Sequence, residues 1–310
     1  MLWQNYLKTC LFLHFVLENY QALYYKHYKK LFLIPLLIVF LAFASLVYTY
    51  SVTGDIVEKD VSLKGGTTAT IYTSQSFPDL ETQLLEKFPE GDFSIRSIEE
   101  FGSDTPLGVT IEVSTVDAEL LEPALEDITG LDLNEENYSV EFIGGSLGES
   151  FYKQMAIALL LAYIFMAIVI FITFRIPVPS FVVIFAAFAD MLCTLAVFPL
   201  FGIKLSTAGI AALLLLVGYS VDTDILLTTR LLRRQEGTLY SRLLDSMKTG
   251  LTMTAAALVA LGVGYFFSTS YVLQQMFLII VIGLLFDVIM TYGLNAGLLI
   301  WYLRKKKVEE

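Results

Sequence analysis

At 310 residues, 56% of them hydrophobic, and with a net charge of −11, the chain is too apolar for an ordinary soluble domain. Most of its acid lies in residues 51–150, against Lys59, Lys64, Lys87 and Arg96, while the remainder is net positive, which leaves no basic footprint for nucleic acid. Two distant cysteines (Cys10, Cys193) and two histidines (His14, His27) exclude a disulfide framework, most zinc chemistry and most nucleophile–histidine pairs.

Residues 1–30 mix Trp3, Tyr6, Leu11, Phe12 and Phe15 with Lys8, Glu18 and Lys26, a pattern that predicts an amphipathic helix lying on the inner membrane face. No signal peptide is expected, because the first long apolar run begins near Leu31 and no small-residue cleavage pattern follows it. That run, residues 31–50, has the length of about 20 residues that a helix needs to cross a bilayer. Further spans are predicted at Gln154–Phe174, Ser180–Phe201, Ser206–Thr229, Thr249–Phe267 and Leu273–Leu303, so that residues 151–303 hold transmembrane helices two to six. Basic groups at Lys26, Lys29 and Lys30, at Arg175, at Arg230, Arg233, Arg234, Arg242 and Lys248, and in the 304–310 tail alternate as six crossings require. Both ends, including that basic tail, are thereby expected in the cytoplasm of a multi-pass cell-membrane protein, and residues 51–150 outside it.

Within 51–150 the signals alternate. Strands are predicted at Thr67–Thr73, Asp92–Ile98, Val109–Ser114 and Tyr138–Ile143, with helices at Phe77–Phe88 and Val116–Ile128 and a turn around Gly102–Pro106. The order βαββαβ is that of the ferredoxin-like split βαβ unit. The expected fold class is therefore a six-helix transmembrane bundle with an extracytoplasmic α+β ferredoxin-like domain.

Four carboxylates interrupt the apolar spans: Asp190, Asp222, Asp224 and Asp287. An aspartate at the bilayer centre costs about 2.5–3.5 kcal/mol on insertion scales, so such residues face a bundle interior or a watery cavity, or serve as hydrogen-bonding glue between helices. Asp222 and Asp224 are turned about 200° apart around a helix, so one is expected to face the chain's own bundle and the other a partner or polar gap. Ser220, Thr223, Thr228, Thr229, Thr249, Thr252 and Thr254 surround them, and Thr291 and Asn295 follow Asp287 at one-turn intervals. Such a set can hold water and pass protons between carboxyl groups. Lys248 and Arg230 are candidate counter-ions and, equally, ordinary inner-face positive charge. Gly65-Gly66 and Gly144-Gly145 stand where the soluble domain meets the membrane, as turns or a hinge.

Leu63-Lys64-Gly65-Gly66-Thr67, the Gly144–Gly148 segment and Gly218-Tyr219-Ser220-Val221-Asp222-Thr223-Asp224 resemble motifs of the SecD/SecF family of Sec protein-export accessory subunits, in its archaeal SecF form, a branch of the resistance-nodulation-division superfamily. The resemblance covers roughly residues 25–305. It implies a role in late protein export, with an ion gradient (protons) driving movement of the outer domain. It also implies a SecD-like membrane subunit, the Sec translocon and the translocating polypeptide as partners. In bacterial relatives the fourth helix carries Asn-Asp; counted from Gly-Tyr-Ser that Asp falls on Thr223, which leaves Asp222 and Asp224 open as the carrier. Asp190 matches a third-helix aspartate, preceded here by Ala189 and not by His, and Lys248 falls about where relatives carry an arginine.

Neither a nucleotide motif nor a nucleophile–base pair is present, so no enzyme activity, cofactor or metal is expected. Two other classes compete. One is a small-molecule or lipid exporter of the same superfamily, against which a domain of about 100 residues leaves little room for a substrate pocket. The other is a scaffold whose aspartates only bond helices together.

Overall fold

The structure is a computed structural model and describes residues 32–99, 105–233, 237–268 and 270–309. The expected N-terminal amphipathic helix, with Cys10, His14, His27 and Lys26–Lys30, lies outside the described residues, as do Gly102 and Arg234.

Among the described residues six helices are long and apolar enough to cross a membrane: Leu33–Thr53, Gly145–Phe174, Pro177–Phe201, Thr207–Arg233, Leu239–Phe267 and Val272–Lys306. They are numbered here as the first to sixth spans. The second helix begins at Gly145 rather than near Gln154, because it continues beyond its apolar run to meet the sheet domain. The third, fourth and sixth spans are the ones buried within the chain, whereas the second and fifth present most of their surface outward. On the fourth span the buried positions Ile210, Leu213, Leu216, Val217, Ser220, Asp224, Leu227, Thr228 and Leu231 recur at helical spacing, a stripe that faces the third and sixth spans.

The sixth span is not uniform. An α-helix over Tyr271–Ile289 passes into a π turn over Met290–Asn295 before the helix resumes at Ala296. Gly293 lies in that turn and takes Pro35 of the first span against it, where an added Cβ would come within 2.4 Å of the proline ring. A side chain at Gly293 would push the first span away.

Between the first and second spans sits a four-stranded antiparallel sheet of β1 (Gly66–Ile71), β2 (Phe93–Glu99), β3 (Pro106–Val113) and β4 (Tyr138–Ile143), in the order β2-β3-β1-β4. Helices Leu80–Lys87 and Ala118–Thr129 follow β1 and β3 in sequence. They cover one face of the sheet, where Ala69, Ile71, Ile111 and Val113 meet Leu80, Leu84, Leu121 and Leu125 in a dry core. The opposite face carries Thr68, Thr70, Thr110 and Glu112 and looks into a cavity of about 850 Å³, closed on the far side by Ser206 and Gln275 at the ends of the fourth and sixth spans.

This joint is built from backbone. Lys59 and Leu205 form a parallel bridge, with Asp60 N–H donating to Leu205 O at 2.8 Å and Leu205 N–H to Glu58 O at 2.7 Å. Asp60 Oδ1 accepts from Val61 N–H at 2.6 Å and starts a short helix, Val61–Lys64, that sequence periodicity does not reveal. Its end packs on the start of the second span. Gly65, at φ +84°, would place a Cβ 2.5 Å from Gly145 Cα, and Gly148 would place one 2.7 Å from Gly65 N. The two glycine motifs therefore form one knuckle in which backbone touches backbone. Lys59 adds a cation–π contact, its Nζ 4.5 Å from the centre of the Tyr152 ring.

Candidate functional site

Asp190, Asp224 and Asp287 converge at the meeting of the third, fourth and sixth spans, each no more than 1% exposed. Hydroxyls of the fourth and sixth spans join them. Ser220 donates from Oγ to Asp190 Oδ2 at 2.5 Å. Thr223 Oγ1 lies 3.1 Å from both oxygens of Asp287 and 2.8 Å from the Ser220 carbonyl. Thr291 Oγ1 lies 2.8 Å from Asp224 Oδ1 and 3.2 Å from Asp287 Oδ1. Asn295 Nδ2 donates to Asp224 Oδ1 at 2.6 Å. The result is a continuous line: Asp190, Ser220 with Thr223, Asp287, Thr291, Asp224, Asn295.

Helical geometry explains how the sixth span supplies three of these groups. Residues four apart on an α-helix drift around its axis by about 40° per step, so Asp287, Thr291 and Asn295 would fan away from the fourth span. The π turn, with its wider i→i+5 closure, reverses that drift through Met290–Asn295 and holds the three in one row. On the third span, Thr194 bonds back to the Asp190 carbonyl at 2.7 Å, leaving the Asp190 carboxyl to face the fourth span.

A hydroxyl has one hydrogen. Thr291 can serve Asp224 and Asp287 together only by donating to one and accepting from the other, which requires that the second carboxyl carry a proton. Thr223, set among Asp287 and the Ser220 carbonyl, is under the same restriction. The arrangement is thus suited to storing and passing protons. Among the described residues no group of three His, Cys, Asp or Glu side chains is placed to hold a metal ion.

The remaining sequence candidates stand elsewhere. Asp222 is exposed on the outer face of the fourth span, on a stripe with Leu215, Gly218 and Tyr219 at helical spacing. Lys248 and Thr252 are exposed on the fifth span, bonded to one another through Thr252 Oγ1 and the Lys248 carbonyl at 2.7 Å. Arg230 donates to the Asp245 carbonyl at 2.5 Å, where it ties the fourth span to the fifth. Gly144 and Gly218 make no close approach that requires a glycine.

A second acidic pair lies at the joint and was not singled out by sequence reasoning. Glu112, 5% exposed on the cavity-facing side of β3, accepts from Arg96 Nη1 at 2.9 Å. Burial, then the neighbouring Asp60 carboxylate, pushes the Glu112 carboxyl up to about 7, against the opposing pull of Arg96 and Lys204. The signal available in sequence was Glu112 standing two residues after Thr110 in a strand, on the face opposite Ile111 and Val113.

The family described as Protein export membrane protein SecD/SecF, C-terminal matches residues 124–305, which include the whole carboxylate centre. The chain belongs to the SecD/SecF family. A relative from Pyrococcus furiosus, named Protein-export membrane protein SecF, is 38% identical over 283 residues, covering 91% of this chain and 93% of its own length. One of the same name from Methanothermobacter thermautotrophicus is 36% identical over 90% of this chain and 93% of its own. Among solved structures, SecDF from Thermus thermophilus, described as a translocon-associated membrane protein, superposes with a TM-score of 0.69 at 18% identity over 92% of this chain. The chain spans 38% of that protein's length. That likeness shows a shared fold.

Proposed function

We propose that this chain is an accessory subunit of the Sec protein-translocation machinery that assists late export of polypeptides by coupling ion, chiefly proton, movement to motion of its outer domain. The family membership supports the export role. The single observation that carries the coupling reading is Thr291 held between Asp224 and Asp287, a hydroxyl bridge between two buried carboxyls within a membrane-spanning bundle.

On this reading the outer domain is of the ferredoxin-like class, supported by its βαββαβ element order and its β2-β3-β1-β4 sheet. The face bearing Arg175, Arg230, Arg233 and Arg304 is cytoplasmic by the positive-inside rule, and the sheet domain lies outside. The partners are a SecD-like membrane subunit, the translocon and the translocating polypeptide. A proton reaching one carboxyl changes which hydrogen bonds Thr223 and Thr291 can make between the fourth and sixth spans. Ser206, just before the fourth span, is hydrogen-bonded to Gln275, near the start of the sixth, beneath the sheet, so a change in the packing of the two spans is delivered to the joint at Asp60 and Leu205.

The test is a pulse-chase of a secreted reporter in cells depleted of this protein and complemented with wild type, Asp190→Asn, Asp224→Asn or Asp287→Asn at equal protein level. Restoration by wild type and failure of the Asn variants supports coupling, because an amide keeps hydrogen bonds but cannot cycle a proton. Full restoration by all three turns the aspartates into helix-bonding groups of a scaffold. Export indifferent to depletion removes the Sec role and favours a small-molecule or lipid exporter.

A further inference from the structure

At the end of the bundle away from the sheet, two arginines from different spans meet at one corner. Arg233, where the fourth span ends, donates from Nη2 to the carbonyl of Thr173 in the last turn of the second span. Arg175 stands two residues further on, at the C-cap of the second span. Both side chains are exposed, and among the described residues neither forms an ion pair with a carboxylate. Arg175 holds φ +55° and is the one non-glycine in the left-handed region among the described residues. Glycine is the usual occupant of such a position after a helix, because a side chain there is strained. An arginine standing against that strain points to a task for its guanidinium.

The corner is prepared for an anion. Bare carbonyls at a helix end repel negative charge, but here Phe171 O takes the Arg175 N–H at 2.9 Å and Thr173 O takes Arg233. A guanidinium carries five N–H donors in a planar fork, and Arg233 commits one of them to Thr173. Two such forks at one corner match the oxygens of a phosphate. The surface leading to them is apolar. The second span presents most of its surface outward, with Phe165, Ile168, Val169 and Ile172 exposed on one stripe at helical spacing. From Phe165 to Arg175 the helix rises about 15 Å, half of a hydrocarbon core near 30 Å thick. Guanidinium groups at the foot of an apolar stripe one leaflet long complement a lipid with an anionic head.

We propose that Arg175 and Arg233 hold the phosphate headgroup of an anionic membrane lipid, whose hydrocarbon chain lies along Phe165, Val169 and Ile172. The lipid bridges the ends of the second and fourth spans. A general surplus of positive charge attracts anionic lipids diffusely, whereas this corner binds one of them and depends on these two side chains. The site does not depend on the coupling reading above.

Native mass spectrometry tests it on the full chain with its partner subunit, released from nanodiscs of phosphatidylglycerol and phosphatidylcholine in equal parts. The two lipids are given the same tails, so that retention reports the head. Phosphatidylglycerol is expected to stay bound several-fold more often than phosphatidylcholine, and Arg175→Gln/Arg233→Gln to remove most of that preference. Lys305→Gln/Lys306→Gln removes the same charge from the same end and is expected to keep it. Excess glycerol phosphate, an anion without tails, is expected to displace none of the lipid. Equal retention of the two lipids by wild type would overturn the proposal, whether or not the variants fold. So would a preference unchanged in the arginine pair, or lost equally in the lysine pair, which would make the attraction a property of the whole charged end. Displacement by glycerol phosphate would overturn it too, by assigning the corner to a free phosphate compound.

Discussion

The Thr291 hydroxyl sits 2.8 Å from Asp224 and 3.2 Å from Asp287, on the only turn of the sixth span that is π rather than α among the described residues. One hydrogen shared between two acceptors makes this side chain a donor to one carboxyl and an acceptor from the other. Thr291→Val keeps the shape and removes both roles, cutting the link between Asp224 and Asp287 while Asn295 and Thr223 still meet those two oxygens. At roughly 1–3 kcal/mol for such a loss, export is expected to slow on the order of tenfold. Thr291→Ser, which keeps the hydroxyl, should restore most of the rate in the same pulse-chase; equal defects in Val and Ser would show that the methyl group and not the proton matters.

Asp222 faces outward from the fourth span, beside Tyr219 and Leu215. Moving a carboxylate from apolar surroundings to a polar interface is worth up to about 3 kcal/mol, and burial against a partner is its natural resting place. Asp222→Leu is expected to raise the thermal stability of the isolated chain in detergent and to weaken co-purification with the SecD-like subunit. Unchanged co-purification would place this face against lipid.

Glu112 predicts a pH dependence at the joint. Its folded-state value of about 7 stands above the ordinary 4.5, so the folded protein binds more protons than the unfolded one between those values. The stabilising contribution is full below about pH 4.5 and is lost as pH rises through 7, by roughly 3 kcal/mol at most. Hydrogen exchange of the amides of Val61–Lys64 and β3 should therefore quicken from pH 5.5 to 8 after correction for intrinsic rate, as Glu112 and Asp60 come to repel. In Glu112→Gln the slope should flatten, since the amide still accepts from Arg96 but never ionises. A wild-type slope retained in Glu112→Gln would assign it to other groups.

Gly148→Ala tests the knuckle. The new methyl carbon would lie 2.7 Å from Gly65 N and 3.0 Å from Lys64 C, both backbone atoms with nowhere to rotate. Overpacking of this kind costs about 1–3 kcal/mol. A lower thermal midpoint and faster proteolysis between residues 54 and 66 are expected, with Gly144→Ala, which meets nothing within 4 Å, as the harmless control.

Much of this architecture is written in local chemistry. Runs of apolar residues long enough to span a bilayer are legible because lipid admits nothing but closed backbone hydrogen bonding. The sheet elements were legible from alternation and turn residues; β4 begins and ends where the pattern of Tyr138–Ile143 does, while β1 and β3 differ at their ends by a few residues. The four intramembrane aspartates stood out for the same reason the spans did, as costly exceptions to an apolar rule.

The sequence alone also determined that Asp222 and Asp224 point apart, since two residues turn a helix by about 200°. Only tertiary structure decided which of them faces inward, because that depends on how the fourth span is rotated against the third and sixth. The joining of Asp190, Asp224 and Asp287 across three helices, the π turn that lines up Thr291 and Asn295, and the distance of Lys248 and Arg230 from the carboxyls were likewise out of reach. So was the knuckle, where Gly65 and Gly148, far apart in the chain, are glycines for one shared reason. Periodicity reports what each helix must bury; packing between helices decides which buried groups meet.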